Sequence, residues 1–197
     1  MSMFSMRRLV HAGFCPMLCL VLAAPAAMHA QTAPASGNTA ISPAESYTAV
    51  LSNLEKEIVG AADAMPADKY DFAPSIPGGD FKGVNTFAAQ VKHLAAANYE
   101  FFEGWGIAGA VDPKTITALK TKPEIMKALR DSYVYAHAAV NSITVDNAFT
   151  SLPGPSAYKA TRASTAALCM AHSMDHYGQL VEYLRMNGII PPASRKG

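Results

Sequence analysis

Cysteine is nearly missing from this chain of 197 residues: there are three, and two of them, Cys15 and Cys19, fall within the first 30 positions. Cys169 is alone in the remainder, so no intramolecular disulfide framework can hold the fold together. Its neighbours Ala166, Ala167, Leu168 and Met170 give it an apolar setting, which suits a buried inert thiol better than a nucleophile. Charge is sparse as well. Only 16% of residues are charged, and 16 Lys and Arg nearly balance 15 Asp and Glu. A near-neutral chain has no electrostatic footprint for nucleic acid and no polybasic patch for a membrane surface. No internal repeat is visible, and no convincing strand pattern.

The apolar N-terminus is short and broken. Arg7 and Arg8 precede an apolar stretch from about Leu9 to Ala27, interrupted by His11 and Pro16. Small residues follow at Ala23, Ala24, Ala26, Ala27 and Ala30. This is the layout of a Sec-type signal peptide over residues 1–30, with cleavage expected after Ala30 and, as second choice, after Ala26. Neither Cys15 nor Cys19 follows a lipobox, so no stable membrane anchor is expected once the signal is gone. The expected location is secreted or periplasmic. Those residues hold two Arg and no acid, so without them the formal charge of +1 becomes −1. Residues 31–41, opening Gln31-Thr-Ala-Pro-Ala-Ser-Gly-Asn38, read as a disordered leader. One domain, 42–194, is left, long enough for a single core.

That domain reads as four main helices. Ser42-Pro43-Ala44-Glu45 is a capping box, and Tyr47, Val50, Leu51, Leu54, Ile58, Ala61 and Met65 recur as one apolar stripe. A long connection runs from Ala67 to Gly83, either covering one mouth of a bundle or lying as a packed surface loop. The second helix starts near Asn85 or Thr86, with Phe87, Val91, Leu94, Ala95, Asn98 and Phe102 as its stripe and His93 to one side. A short piece begins at Asp112-Pro113. The third main helix opens at Lys122-Pro123-Glu124, with His137 beside its stripe. The fourth runs from about Ser164 to Asn187. It is apolar on so much of its surface that extensive burial is expected, and Gly178 suggests close approach by a neighbour. Gly188 and Pro191-Pro192 stop it. The economical arrangement is an all-α four-helix bundle with long connections.

The chemistry concentrates in His172-Ser-Met-Asp-His176-Tyr-Gly-Gln179. Two histidines four residues apart share one helix face, one turn apart, and can point at one atom. The spacing alone leaves two readings open: a pair of metal ligands, or two half-buried imidazoles satisfied by hydrogen bonds. The zincin pattern is absent, because Ser173, Met174 and Asp175 occupy the interval. A third ligand must come from another helix. His93 is the first candidate and His137 the reserve.

Three stretches together resemble the DinB family, the DinB/YfiT-like metalloenzymes. They are Phe81 to His93 with Ala97-Asn98-Tyr99, the motif from His172 to Gln179, and Tyr183 to Ser194. The resemblance implies a four-helix bundle. It also implies metal ligands at one histidine of the second helix and a His-x3-His pair on the last, which match His93, His172 and His176. Some relatives carry a histidine where Asp175 stands. Characterised relatives include transferases and isomerases that use bacillithiol, mycothiol or glutathione.

The function implied is a divalent-metal-dependent enzyme, with zinc the first expectation and nickel the second. It would act as a thiol S-transferase or a hydrolase on a small-molecule substrate, with a thiol among the candidates. Asp175 is the candidate proton acceptor, and Tyr177 and Gln179 are candidate supports of the ligands. The alternative is a non-catalytic periplasmic bundle whose metal only staples two helices. Homodimers are common among relatives and are an expectation here too.

Overall fold

Side-chain caps set the start of every long helix, and the rest of the architecture follows from what those helices bury. The structure is a computed structural model and describes residues 39–153 and 160–195. The expected signal peptide and most of the leader lie outside the described residues. Helix α1 spans Pro43–Ala64 and opens on the Ser42/Glu45 capping box, with both reciprocal hydrogen bonds formed. Helix α2 spans Phe87–Phe101, and the Thr86 hydroxyl accepts from Ala89 N. Helix α3 is a short piece, Pro113–Thr117, capped by Asp112. Helix α4 spans Lys122–Asn141 behind a second capping box, Thr121/Glu124. Helix α5 spans Arg162–Met186 behind Thr161. Among the described residues there is no strand, only a single antiparallel bridge between Ser151 and Thr161.

The long helices form a ring in the order α1, α4, α2, α5, with α3 against α2. Two consecutive pairs therefore face each other across the bundle, α1 diagonal to α2 and α4 to α5, while α2 and α4 are neighbours. The connection from α1 to α2 therefore crosses an end of the bundle that the four long helices form. The core between them includes Leu51, Ile58, Phe87, Leu94, Phe102, Leu129, Tyr133, Leu180 and Leu184, all essentially without solvent contact. A polar layer crosses it. Asn98 Nδ2 donates to Ser132 Oγ at 3.0 Å, and the Cys169 thiol lies 3.6 Å from Asn98 Oδ1. Burial pushes the Cys169 thiol up to about 12, so it stays protonated and unreactive.

The connection after α1 is built into the fold and closes one end of the bundle. Its first turn, Ala67–Lys69, is 3₁₀. The carbonyls of Phe72 and Tyr70 accept from Phe87 N and Ala88 N at 2.8 and 2.7 Å. With Thr86 on Ala89 N, the first three amides of α2 are satisfied by the loop rather than by water. The Tyr70 hydroxyl donates to Ala62 O at 2.7 Å, and its ring stands edge-on to Phe87. Phe72 stands edge-on to Tyr183, whose hydroxyl donates to Asn85 O at 3.0 Å. Lys122 Nζ closes the far end of α1 through Asp63 O and Met65 O at 2.6 and 2.9 Å.

Two expectations are corrected by the packing. Helix α2, not α5, is the buried one: ten of its residues from Phe87 to Tyr99 are buried, because α3, α4 and α5 cover it on three sides. Helix α5 keeps an outer flank in solvent, where Leu168 is 56% and Met174 46% exposed. Its apolar residues are spread around the axis, but only one side meets α1 and α2. Val50 likewise stands off the α1 stripe, 49% exposed. Gly178 is exposed, and a Cβ built on it meets nothing within 4 Å. No helix approaches closely there. The stop of α5 is as expected: Gly188 adopts φ 74°, and the bonds Gly188 N to Arg185 O and Ile189 N to Leu184 O form a Schellman motif.

An exposed helix-interior glycine with open space costs stability through the unfolded chain. Gly178→Ala is expected to raise the free energy of unfolding by about 0.5–1 kcal/mol, measured by urea denaturation. A decrease would show that a close contact exists there after all.

Candidate metal centre

Helices α2 and α5 bring three imidazoles to one point. His93 stands about two turns into α2, the helix whose first amides are held by the loop carbonyls. His172 and His176 stack on the face of α5 turned toward it. His93 Nε2 and His172 Nε2 are 3.0 Å apart, and His176 Nε2 and His172 Nε2 are 3.1 Å apart. All three ligand nitrogens lie within 4.8 Å of one another, and each residue is half-buried.

Hydrogen bonds alone do not satisfy this arrangement. A neutral imidazole nitrogen either donates one proton or accepts along one in-plane lone pair. His172 Nε2 has two ring nitrogens at bonding distance and can serve only one well. A cation at the centre serves all three. Nitrogens about 2.0–2.1 Å from a tetrahedral zinc stand roughly 3.3–3.4 Å apart, so the two pairs that share His172 need to open by only a few tenths of an ångström. The donor set fits a borderline-soft divalent ion such as zinc or nickel.

The protonation states agree with that fit. Burial, then the neighbouring His93, holds His172 below its ordinary value, against the pull of Asp175 and Glu100. Burial, then His172 and His93, pushes His176 down to about 4, against Asp175 and Gln179. Both rings are thus neutral at pH 7 with lone pairs free for a ligand role.

The surroundings sort the other expected residues. Gln179 lies beside His176 and joins two groups: its Nε2 donates to Asp175 Oδ2 at 3.0 Å, and its Oε1 accepts from Gln90 Nε2. Asp175 is exposed at the rim, held by Gln179 rather than by a histidine. Tyr177 is turned aside. It packs on the core's edge, and the charge its phenol meets is Glu57 of α1. His137, the reserve ligand, is taken by Glu55 of α1 at 2.9 Å and does not join the cluster. The reason is positional, since α4 lies diagonal to α5. Two buried polar atoms here have no partner among the described residues: His176 Nδ1, and Gln90 Oε1 one turn before His93.

One wall of the centre was not anticipated. A depression of 250 Å³ opens on His93 and His172 and is lined further by Ala97, Glu100 and Phe101. The Phe101 ring stands edge-on to His172, with centroids 5.3 Å apart. These residues follow His93 by four, seven and eight positions, which is the same face of α2 over two turns. That periodicity was the available signal for Glu100.

A helical bundle with three convergent histidines from its second and last long helices defines the class. The chain belongs to the DinB superfamily, whose sequence model matches residues 51–180. The match contains all three histidines and ends before the stretch from Tyr183 to Ser194. No curated protein matches the chain.

A histidine whose folded pKa is depressed makes stability fall with pH. Between about 6.5 and about 4, the unfolded chain takes up the proton on His176 and the folded chain does not. The metal-free protein is therefore expected to lose melting temperature as pH drops through that window, and to show no contribution from this group above it. The His176→Gln variant should flatten the profile. An unchanged profile would mean that His176 titrates normally.

Proposed function

We propose that this chain is a divalent-metal-dependent enzyme acting on a small molecule, with thiol transfer as its reaction and glutathione-like thiols as the co-substrate class. The observation that carries this is the depression opening on His93 and His172. Among the described residues no fourth His, Cys, Asp or Glu closes the group. A structural staple is normally closed by a fourth protein ligand, whereas a catalytic centre keeps a position open.

Three neutral imidazoles would hold the ion. When bound, it supplies Lewis acidity that makes a coordinated thiol, or water in a hydrolytic variant, acidic enough to ionise near neutral pH. The chain's own groups do the rest. Phe101 covers the edge of His172 and keeps bulk water from that side. The Glu100 carboxylate lies in the wall of the depression and is placed to accept the proton that an entering thiol gives up. Asp175, steadied by Gln179, holds negative charge at the opposite rim and stabilises the cationic cluster. Cys169 offers no competing thiolate, since it is buried and protonated. In this reading the N-terminal signal carries the activity out of the cytoplasm. No helix of the described residues is long and apolar enough to cross a membrane.

The first experiment is metal content by elemental analysis, on protein purified without added metal, beside His172→Ala. Near-stoichiometric zinc or nickel is expected in the wild type and loss of it in the variant. No metal after reconstitution with either ion would overturn the proposal. Turnover of glutathione with a generic aryl electrophile is then expected to require the ion. Glu100→Gln should slow it by roughly 10²-fold with metal content unchanged.

A further inference from the structure

The two buried atoms left without partners at the metal centre are complementary. His176 Nδ1 can carry a proton, and Gln90 Oε1 can only accept one. Gln90 is 4% exposed and stands on α2, one turn before His93. It is not in the wall of the depression that opens on His93 and His172. An amide oxygen held dry without a donor is costly. The third such atom among the described residues, the Tyr133 hydroxyl, belongs to α4.

The direction of the Gln90 amide is decided at the surface. Asp175 Oδ2 accepts at 3.0 Å, so the Gln179 group beside it is the Nε2 donor. That leaves Gln179 Oε1 as the acceptor for Gln90, which presents its own Nε2 there. The Gln90 oxygen is thereby turned away from Gln179. Turning over either amide alone sets like groups against each other. An exposed carboxylate on α5 thus fixes the polarity of a buried amide on α2. The Gln179 side chain also adjoins the His176 ring, so this chain of amides ends beside the imidazole.

We propose that Gln90 is a positioning residue for the metal centre: its side-chain oxygen accepts the Nδ1 proton of His176. A proton on Nδ1 leaves the lone pair on Nε2, the nitrogen that meets His172 at 3.1 Å. In the other tautomer Nδ1 is a second buried acceptor, and neither it nor the Gln90 oxygen has a donor. A ligand imidazole ordinarily donates its other N–H to an oxygen in this way, which orients the ring. Polarity therefore passes from Asp175 through Gln179 and Gln90 to His176. The use of this arrangement rests on the metal-dependent reading above; the position of the proton does not.

Nitrogen-15 NMR of the histidine rings locates the proton, on metal-free protein at pH 7, where His176 is neutral. Nδ1–H is expected in the wild type. Gln90→Met keeps the length of the side chain and removes the acceptor. It should convert His176 to the Nε2–H form and weaken zinc by roughly 10- to 100-fold, measured by competition with a chromophoric chelator. Asp175→Ala changes only an exposed side chain and leaves the core untouched. With the anchor gone both amides can turn over together, so a mixture of tautomers and an intermediate zinc affinity are expected. Nε2–H in the wild type, or an unchanged tautomer in Gln90→Met, would overturn the proposal. Pure Nδ1–H in Asp175→Ala would overturn the part given to Asp175. Should Gln90→Met fail to fold, the wild type and Asp175→Ala decide the matter by themselves. A wild type with the proton on Nδ1 that binds no zinc would sink the metal reading and leave the proton where it is placed here.

Discussion

Everything at the metal centre depends on how the first amides of α2 are satisfied. A helix start buried in a bundle carries N–H groups that must find acceptors. Here the acceptors are two loop carbonyls and one threonine hydroxyl, so the loop, and not the helix alone, decides where α2 begins. The same loop carries Phe72 onto Tyr183, and Tyr183 reaches back to Asn85 O. This ties the start of α2 to the last turns of α5. Two helices far apart in the chain are thereby clamped at one end, and the imidazoles meet two to three turns from that clamp.

The clamp brings together groups that repel when charged. Three imidazoles at this separation repel when charged, and partial burial already disfavours the charge on His172 and His176. The cluster is therefore held in the state that a cation needs. Two carboxylates, Glu100 and Asp175, sit at its margins and favour positive charge at the centre. One is on α2 and the other on α5, so the field is built by the same two helices as the ligands.

Much of this was legible in the chain. The capping box at Ser42, the stop at Gly188 and the helical stripes depend on local sequence, and local sequence carries them. The His172/His176 pair was visible for the same reason, because four residues make one turn. His93 was the first candidate from the chain alone and His137 the reserve; the family resemblance set the order, since nothing local says which helix α5 will face. What the chain did not disclose were matters of tertiary contact. The apolar residues of α5 suggested deep burial, but burial depends on which neighbours surround a helix, and those surround α2 instead. Gly178 suggested a close approach that the ring of helices does not make. Tyr177 was adjacent in sequence to the ligand His176 and yet is turned toward α1, since one residue along a helix is a rotation of about 100°. Glu100 was missed although its spacing from His93 was regular, because an acidic residue on a helix face is ordinarily only a solvated one.

The ring order α1, α4, α2, α5 has a consequence for how the protein matures. His93 and His172 are separated by 79 positions along the chain. Their meeting is a contact of high sequence separation, of the kind that costs most loop-closure entropy and forms late. A nascent or truncated chain that lacks α5 has one of the three imidazoles and no chelating geometry. Any ion the three histidines take would thus be captured only by chains that have finished assembling. Such an ion could not seed folding as it does in small metal-nucleated domains, and would instead work as a latch set on a completed bundle.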